Sequence, residues 1–391
     1  MKSSLDARRA LLGPYSPEVV KALVAVGRLR SEQARFEEAE RLVRDAQTIA
    51  RTRLAPRDPA NAMATAALGE ILEQRGVYDQ AITVLGEAAQ LQSAGSDPSE
   101  LASTLFELAN THFYAGHYDE SESINQRVLT MHRQRYGERH PLVAEDLINL
   151  GAIQYECGCY CEAELFYRQA LDINQAWYGK DSYRTASSLT VLARALEFED
   201  KYDESEALLQ QALAIQEHVF GPVHPRVASA LNDLGNVAMR RGHAQAAEPH
   251  FRRIGEIYRQ VYGDKHYLVG IAISNLAGVY MARGNFSTAE RMYRDAVARF
   301  SEAQSPVHLN TGIARIKLGR SLLRQNRYAE AEVESLAGYQ IVGKLAAPTV
   351  SWLKNAREDL AAIYTAMGQP DKAQPFRVEA AEIEHHPKAG R

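Results

Sequence analysis

An all-α solenoid of nine helical hairpins is predicted by three observations: a 42-residue period, a small residue fixed at one place in each period, and turn-forming residues fixed at another. The first small position reads Gly27, Gly69, Ala109, Gly151, Ala193, Gly235, Ala277, Gly319 and Ala361. The residue before it is Val26 in the first unit and leucine in the others, from Leu68 to Leu360. A small residue beside an aliphatic one lets two helix axes approach closely while the larger side chain fills the groove between ridges. Twelve residues later a second small position reads Ala39, Ala81, Ser121, Ala163, Ser205, Ala247, Ala289, Ala331 and Ala373, with a step of 42 in seven intervals and 40 in one. The spacing within a unit never changes, so the hairpin is the conserved object.

Each unit predicts a first helix, a tight turn and a longer second helix. Ser16-Pro17, Asp58-Pro59, Asp97-Pro98, His140-Pro141 and His224-Pro225 place a proline at the first helical position. Ser16, Asp58 and Asp97 are good capping residues, whereas His140 and His224 are weaker ones. Five residues before the second small position stand Gly76, Gly116, Gly158, Gly242, Gly284 and Gly368, where the chain reverses through a left-handed residue. Ala34, Asp200 and Asn326 occupy that place in the other three units. An aromatic follows two residues later in seven units, with Ala244 and Pro370 the exceptions. Amphipathic second helices are expected, such as Glu162 to Trp177 and Glu206 to Phe220.

Composition narrows the function class. The formal charge is -4, from 45 basic and 49 acidic residues with no dense basic run, which lacks the footprint of a phosphate-backbone binder and argues against nucleic acid. No apolar run approaches the roughly 18 residues of a membrane span, and MKSSLDARRALLG lacks a signal-type core, so no membrane role and a cytoplasmic location are expected. Arginine outnumbers lysine 35 to 10, a bias that suits a GC-rich, bacterial source. Three cysteines in 391 residues make no disulfide framework.

HPRVASALNDLGNVAMRRGHAQAAEPHF (224–251) and LVGIAISNLAGVYMARGNFSTAERMYRDAV (268–297) resemble the 42-residue tetratricopeptide repeats of kinesin light chains, a subclass also found in bacterial signalling proteins such as serine/threonine kinase tails. The resemblance runs from about residue 14 to 384. It implies a right-handed α–α superhelix whose concave face, built by first helices, binds a peptide or protein segment. The period exceeds the roughly 34 residues of a standard unit through longer helices and a longer inter-repeat loop. Gly13-Pro14-Tyr15-Ser16-Pro17 aligns with the linkers Gly137–Pro141 and Gly221–Pro225, so residues 1–13 read as the end of a preceding repeat in a longer polypeptide or as a capping helix. Residues 385–391 read as a disordered tail.

At 100° per residue, positions three before, one after, four after and five after the first small residue lie opposite the packed face and are expected to line the concavity. They supply Asn110, Arg194, Asn236 and Arg320 one after, Asn232 three before, Tyr155 and Met239 four after, and Arg240 five after. Asn149 and Asn275, two before, fall at the groove edge and match the asparagine of the kinesin light chain pattern, which Val191 interrupts in unit five. Amides can pair with the backbone of an extended peptide, arginine can hold a carboxylate through two bonds, and aromatics supply anchoring area.

Nothing catalytic competes with that reading. Cys157, Cys159 and Cys161 are spaced unlike a zinc site and lack a second pair, so free thiols at a hairpin turn are expected, with soft-metal or redox chemistry the less favoured alternative. His140, His224, His266 and His308 fall at inter-repeat linkers. No phosphate loop, nucleophile elbow or zincin helix occurs, and no cofactor is expected. A monomeric protein-interaction scaffold, non-enzymatic, is predicted, and the alternative is an assembly module acting through its convex face and terminal repeats.

Overall fold

The computed structural model describes residues 10–93, 97–348 and 350–385, with side chains to 381. Among them the chain forms nine helical hairpins and no strand, an all-α solenoid-class repeat fold as the sequence predicts. The helices are α1 (Pro17–Glu32), α2 (Phe36–Arg53), α3 (Pro59–Gln74), α4 (Tyr78–Ser93), α5 (Pro98–Tyr114), α6 (Tyr118–Tyr136), α7 (Pro141–Glu156) and α8 (Tyr160–Tyr178) in the first compact unit, residues 1–180. The second unit, residues 181–391, holds α9 (Tyr183–Phe198), α10 (Tyr202–Phe220), α11 (Pro225–Arg240), α12 (Ala244–Tyr262), α13 (Tyr267–Ala282), α14 (Phe286–Ala303), α15 (Leu309–Leu323), α16 (Tyr328–Leu345), α17 (Ser351–Ala366) and α18 (Pro370–His385).

The turn rule holds in every hairpin. Ala34, Asp200 and Asn326 have φ of 57°, 58° and 61°, and the glycines at this place run from 71° to 81°. A left-handed residue is therefore required whether or not glycine supplies it, and the three side-chain-bearing exceptions carry some backbone strain. The aromatic two residues later, or Ala244 and Pro370, is the first residue of each second helix. Second helices thus begin two residues before Glu162 and four before Glu206, ahead of the predicted starts. Residues 1–9 and 386–391, parts of the predicted N-terminal segment and tail, lie outside the described residues. Residues 10–12 are helical, and Gly13 has φ of 85°, like Gly137, Gly179, Gly221 and Gly263 after the second helices.

Packing within a hairpin explains the small positions. A Cβ added at Gly27 would lie 2.5 Å from Val43, at Gly151 2.5 Å from the Tyr167 ring, and at Gly235 2.7 Å from the Phe251 ring. In these hairpins the residue four after the second small position inserts into the notch that the first one opens. Where that second position is serine, its hydroxyl donates to the carbonyl of the first: Ser121 Oγ to Ala109 O at 2.8 Å and Ser205 Oγ to Ala193 O at 2.7 Å.

The histidine caps are better than their residue type suggests. The Nδ1 atoms of His140, His224, His266 and His308 accept the amide N–H two residues on, at 3.2, 3.1, 3.3 and 3.1 Å. Three of these rings stack on the aromatic ending the preceding helix: His140 on Tyr136, His224 on Phe220 and His266 on Tyr262, at 4.5, 4.6 and 4.6 Å. The ring satisfies an orphan helix donor while covering apolar surface at the linker.

Candidate partner-binding face

First helices touch the first helices of neighbouring hairpins directly, α1 with α3 and α3 with α5 in unit 1, and α9 with α11 and α15 with α17 in unit 2. Among the described residues no pair of second helices makes comparable contact, so first helices form the more closely spaced layer within each unit.

In unit 2 this layer carries a ladder of side-chain pairs. Arg194 on α9 donates through Nε and Nη2 to Asp233 on α11 at 3.3 and 3.0 Å, and Arg320 on α15 reaches Asp359 on α17 at 2.8 Å and the Asn355 carbonyl at 3.1 Å. Arg240 on α11 pairs with Glu197 on α9 at 2.7 Å, its guanidinium 3.9 Å above the Phe198 ring. The three arginines are partly exposed, at 44%, 44% and 31% for Arg194, Arg240 and Arg320, whereas Asp233, Glu197 and Asp359 are at 7%, 7% and 10%. Burial pushes all three carboxyls up, and the facing arginines oppose that shift.

Amides and a lysine complete the row. Asn275 Nδ2 donates to Asn232 Oδ1 at 3.1 Å. Lys317 Nζ donates to Ser274 Oγ at 3.2 Å and sits 4.9 Å from the Trp352 ring, with desolvation pushing its ammonium down to about 8. Asn236 and Met239 are partly exposed on α11; Met239 packs against the core of α11–α13, and the Asn236 amide has no partner among the described residues.

Unit 1 is built differently. Arg28 pairs with Glu70 at 2.7 Å, and Glu107, on the next first helix, is pushed up to about 7 by burial and by Glu70 and Glu73. Asn149 Nδ2 donates to Asn110 Oδ1 at 3.0 Å, and both amides line a cavity of about 140 Å³ between α5, α6 and α7. Tyr155 is partly exposed at the end of α7, edge-on to Tyr160 at 5.4 Å.

The predicted residues therefore lie on first helices, but most are engaged within the protein. Arg194, Arg240 and Arg320, read as holders of a partner's carboxylate, already hold carboxylates of this chain, and Asn110, Asn149, Asn232 and Asn275 pair with one another. The missed residues are Asp233, Glu197 and Asp359. Two of them had a signal: reading the position after the small residue against the position two before it in the next unit gives Asn110–Asn149, Arg194–Asp233 and Arg320–Asp359, each 39 residues apart. Glu197 pairs on a different offset.

Cys157, Cys159 and Cys161 are exposed at the α7–α8 turn. Among the described residues no group of three or more His, Cys, Asp or Glu side chains is gathered as a metal ion would need, and no helix is long and apolar enough to cross a membrane.

Comparisons agree with this architecture. The chain is similar to the quorum sensor NprR from B. thuringiensis in its apo form (TM-score 0.59, 12% identity, 94% of this chain and 99% of that one). It is similar to the Rap protein complexed with Competence and Sporulation Factor (0.56, 14%, 96% and 100%). The TPR-like repeats of a Podospora anserina kinesin light chain homologue match at 23% identity, covering 52% of this chain and 96% of theirs, with a TM-score of 0.48. No curated protein sequence matches. The tetratricopeptide repeat model matches in overlapping windows, residues 60–134, 100–176, 147–218, 184–260, 226–302 and 268–333. With the family model spanning most of a chain whose described residues form helical hairpins throughout, the protein belongs to the tetratricopeptide repeat family.

Proposed function

We propose that this protein is a non-catalytic interaction module that binds a peptide or protein segment along the first-helix face, as a docking or sensory part of a cytoplasmic signalling protein. The observation carrying this reading is the ladder of unit 2, in which partly exposed guanidinium groups are held by buried carboxylates and the Asn275 amide is held by Asn232. Groups fixed before binding lose little conformational freedom when a ligand arrives, so the face is preorganised for contact with a main chain. Asn236 and Met239, which are not engaged in that ladder, are the ones left to meet a ligand. The Rap protein, similar in fold, was solved with a bound factor, which agrees with a ligand-holding role for this architecture.

The test selects ligands from a random peptide display library on the wild type and measures them against Asn236→Ala/Met239→Ala by calorimetry. The expected result is at least about tenfold weaker binding with unchanged helical circular dichroism. Equal affinities for both proteins overturn the reading. The assembly alternative draws on exposed apolar groups near the α15–α16 hairpin, Val307 at 67%, Val333 at 63% and Leu345 at 55%. A stable homodimer in analytical ultracentrifugation, together with no selected peptide, favours it.

A further inference from the structure

Side chains four residues apart form a ridge on a helix surface. On α16 one such ridge is Val333, Ala337, Ile341 and Leu345, and no other second helix is apolar at all four of these places. The second place separates α16 from the rest, because it is charged or an amide in the other eight units. Arg51 of the preceding second helix donates to Glu87 there at 2.6 Å, and Arg253 pairs with Glu217. Ala337 makes no such bridge. Val333 is 63% exposed and Leu345 55%, and Val307 of the linker before α15, which lines the same cavity as Leu345, is 67% exposed.

The two ends of this ridge differ in shape and in charge. At the C-terminal end a cavity of about 520 Å³ lies between the linker residues Pro306 and Val307 and the α16 residues Ile341, Lys344 and Leu345. At the other end Val333 stands exposed. Lys344 is exposed and forms no ion pair among the described residues. Glu330, Glu332 and Glu334 occupy the first turns of the helix. Glu330 is held by Arg327 and Glu334 by Arg315, so Glu332 is the carboxylate of that end with no cation among the described residues. The helix itself is packed closely on α15: a Cβ added at Gly338 would lie 2.7 Å from the Gly312 carbonyl oxygen, and one at Gly312 2.8 Å from Ile341. The ridge is therefore presented on a fixed frame, which lowers the cost of ordering it in a contact.

We propose that α16 is a contact between two copies of this chain, laid antiparallel about a twofold axis that passes between Ala337 and Ile341. A twofold contact joins the same patch on both sides, so every feature must find its complement on the same helix. Antiparallel pairing meets that demand. Val333 of one copy comes level with Leu345 of the other and enters the cavity beside it, and Ala337 meets Ile341, with ridges of residues four apart interlocking at an oblique crossing. Lys344 comes level with the acidic first turns of the second copy, where Glu332 lacks a cation. A foreign helix would not require the two ends of α16 to complement each other, so their match favours a second copy. With 18 residues, α16 is about 27 Å long, and one such helix pair falls at the small end of stable interfaces, which sets an expected dissociation constant of about 1–100 µM. The inference stands apart from ligand binding on the first helices and departs from the monomer expected from the sequence.

The experiment follows sedimentation of the full-length protein at concentrations up to about 200 µM, where a monomer–dimer equilibrium is expected. Ala337→Arg, which installs the residue type of hairpins three and six, is expected to weaken association at least about tenfold with unchanged helical circular dichroism. Orientation is read by disulfide formation in a Cys157→Ser/Cys159→Ser/Cys161→Ser background. Val333→Cys mixed with Leu345→Cys is expected to cross-link, whereas Val333→Cys alone is not, because its two copies would stand roughly 18 Å apart along the helix axis. A monomer at about 200 µM, a dimer undiminished by Ala337→Arg, or cross-linking of Val333→Cys as fast alone as in the mixture overturns the proposal. Peptide binding that depends on Asn236 is expected to persist in Ala337→Arg. A monomeric protein that still selects such peptides removes only the α16 contact, whereas a dimer without them removes only the first-helix reading.

Discussion

Replacing Gly235 by alanine probes the packing scheme directly. The new Cβ would lie 2.7 Å from Phe251 Cζ and 2.8 Å from Cε1, where ordinary carbon contacts begin near 3.5 Å. The ring must retreat by almost 1 Å, and Phe251 is buried, 2% exposed. Overpacking of this kind costs about 1–3 kcal/mol, offset by about 0.5–1 kcal/mol from the helix preference of alanine over glycine. A net loss of roughly 1–2 kcal/mol is expected for Gly235→Ala. Phe251→Leu alone removes a buried ring and costs a similar amount, roughly 1–2 kcal/mol. The double variant recreates the Ala193–Leu209 pairing already found in hairpin five, where both residues are fully buried. It is therefore expected to be no less stable than Phe251→Leu, a coupling of about 1–2 kcal/mol in the stabilising direction. Amide hydrogen exchange in α11 and α12 reads the local opening energy, which suits a repeat array better than one global transition. Simple addition of the two single effects, or a Gly235→Ala protein as protected as the wild type, would refute the notch-and-insert argument.

Two further outcomes follow from the electrostatics and the caps. Glu107 stands at about 7 in the folded protein against an ordinary value near 4.5, so its contribution to stability is fully present below about pH 4.5 and is lost as pH rises through 7, with Glu70 and Glu73 opposing its charge and Arg28 favouring it. Glu107→Gln is expected to raise the melting temperature relative to wild type at pH 8 far more than at pH 5, a differential on the order of 2 kcal/mol after solvent screening, and equal effects at both pH values would exclude it. His224→Ala removes a cap bond and the stack on Phe220, for an expected loss of about 1–2 kcal/mol read by exchange at the start of α11, while His224→Asn keeps the cap and restores about half.

Much of the fold was legible because its determinants are local and recur. A left-handed turn residue, a proline at a helix start and a small residue against a large one each declare themselves within one period, and nine copies turn weak signals into a pattern. The second-helix starts were placed late because the expected spans open on Glu162 and Glu206, whereas the turn aromatics Tyr160 and Tyr202 are already the first helical residues. The site was legible to the level of the helix face only. Helical spacing places Arg194 and Arg320 on the first helices, but what each touches depends on the neighbouring hairpin, and that register appears only when one unit is read against the next.

The pairing ladder also changes how the face should be interrogated. Removing Arg194 leaves Asp233 buried beside no cation, and breaking a buried pair from one side costs about 3–5 kcal/mol where the partner is fully desolvated. Loss of ligand binding in such a variant would therefore mix a damaged layer with a lost contact. The same holds for Arg240 over Glu197 and for Arg320 over Asp359. Asn236 stands between these pairs on α11 with no partner to strand, so its truncation changes what a ligand meets without disturbing what holds the helices. A binding loss at Asn236 reports recognition, whereas one at the arginines reports the scaffold that keeps the face in place.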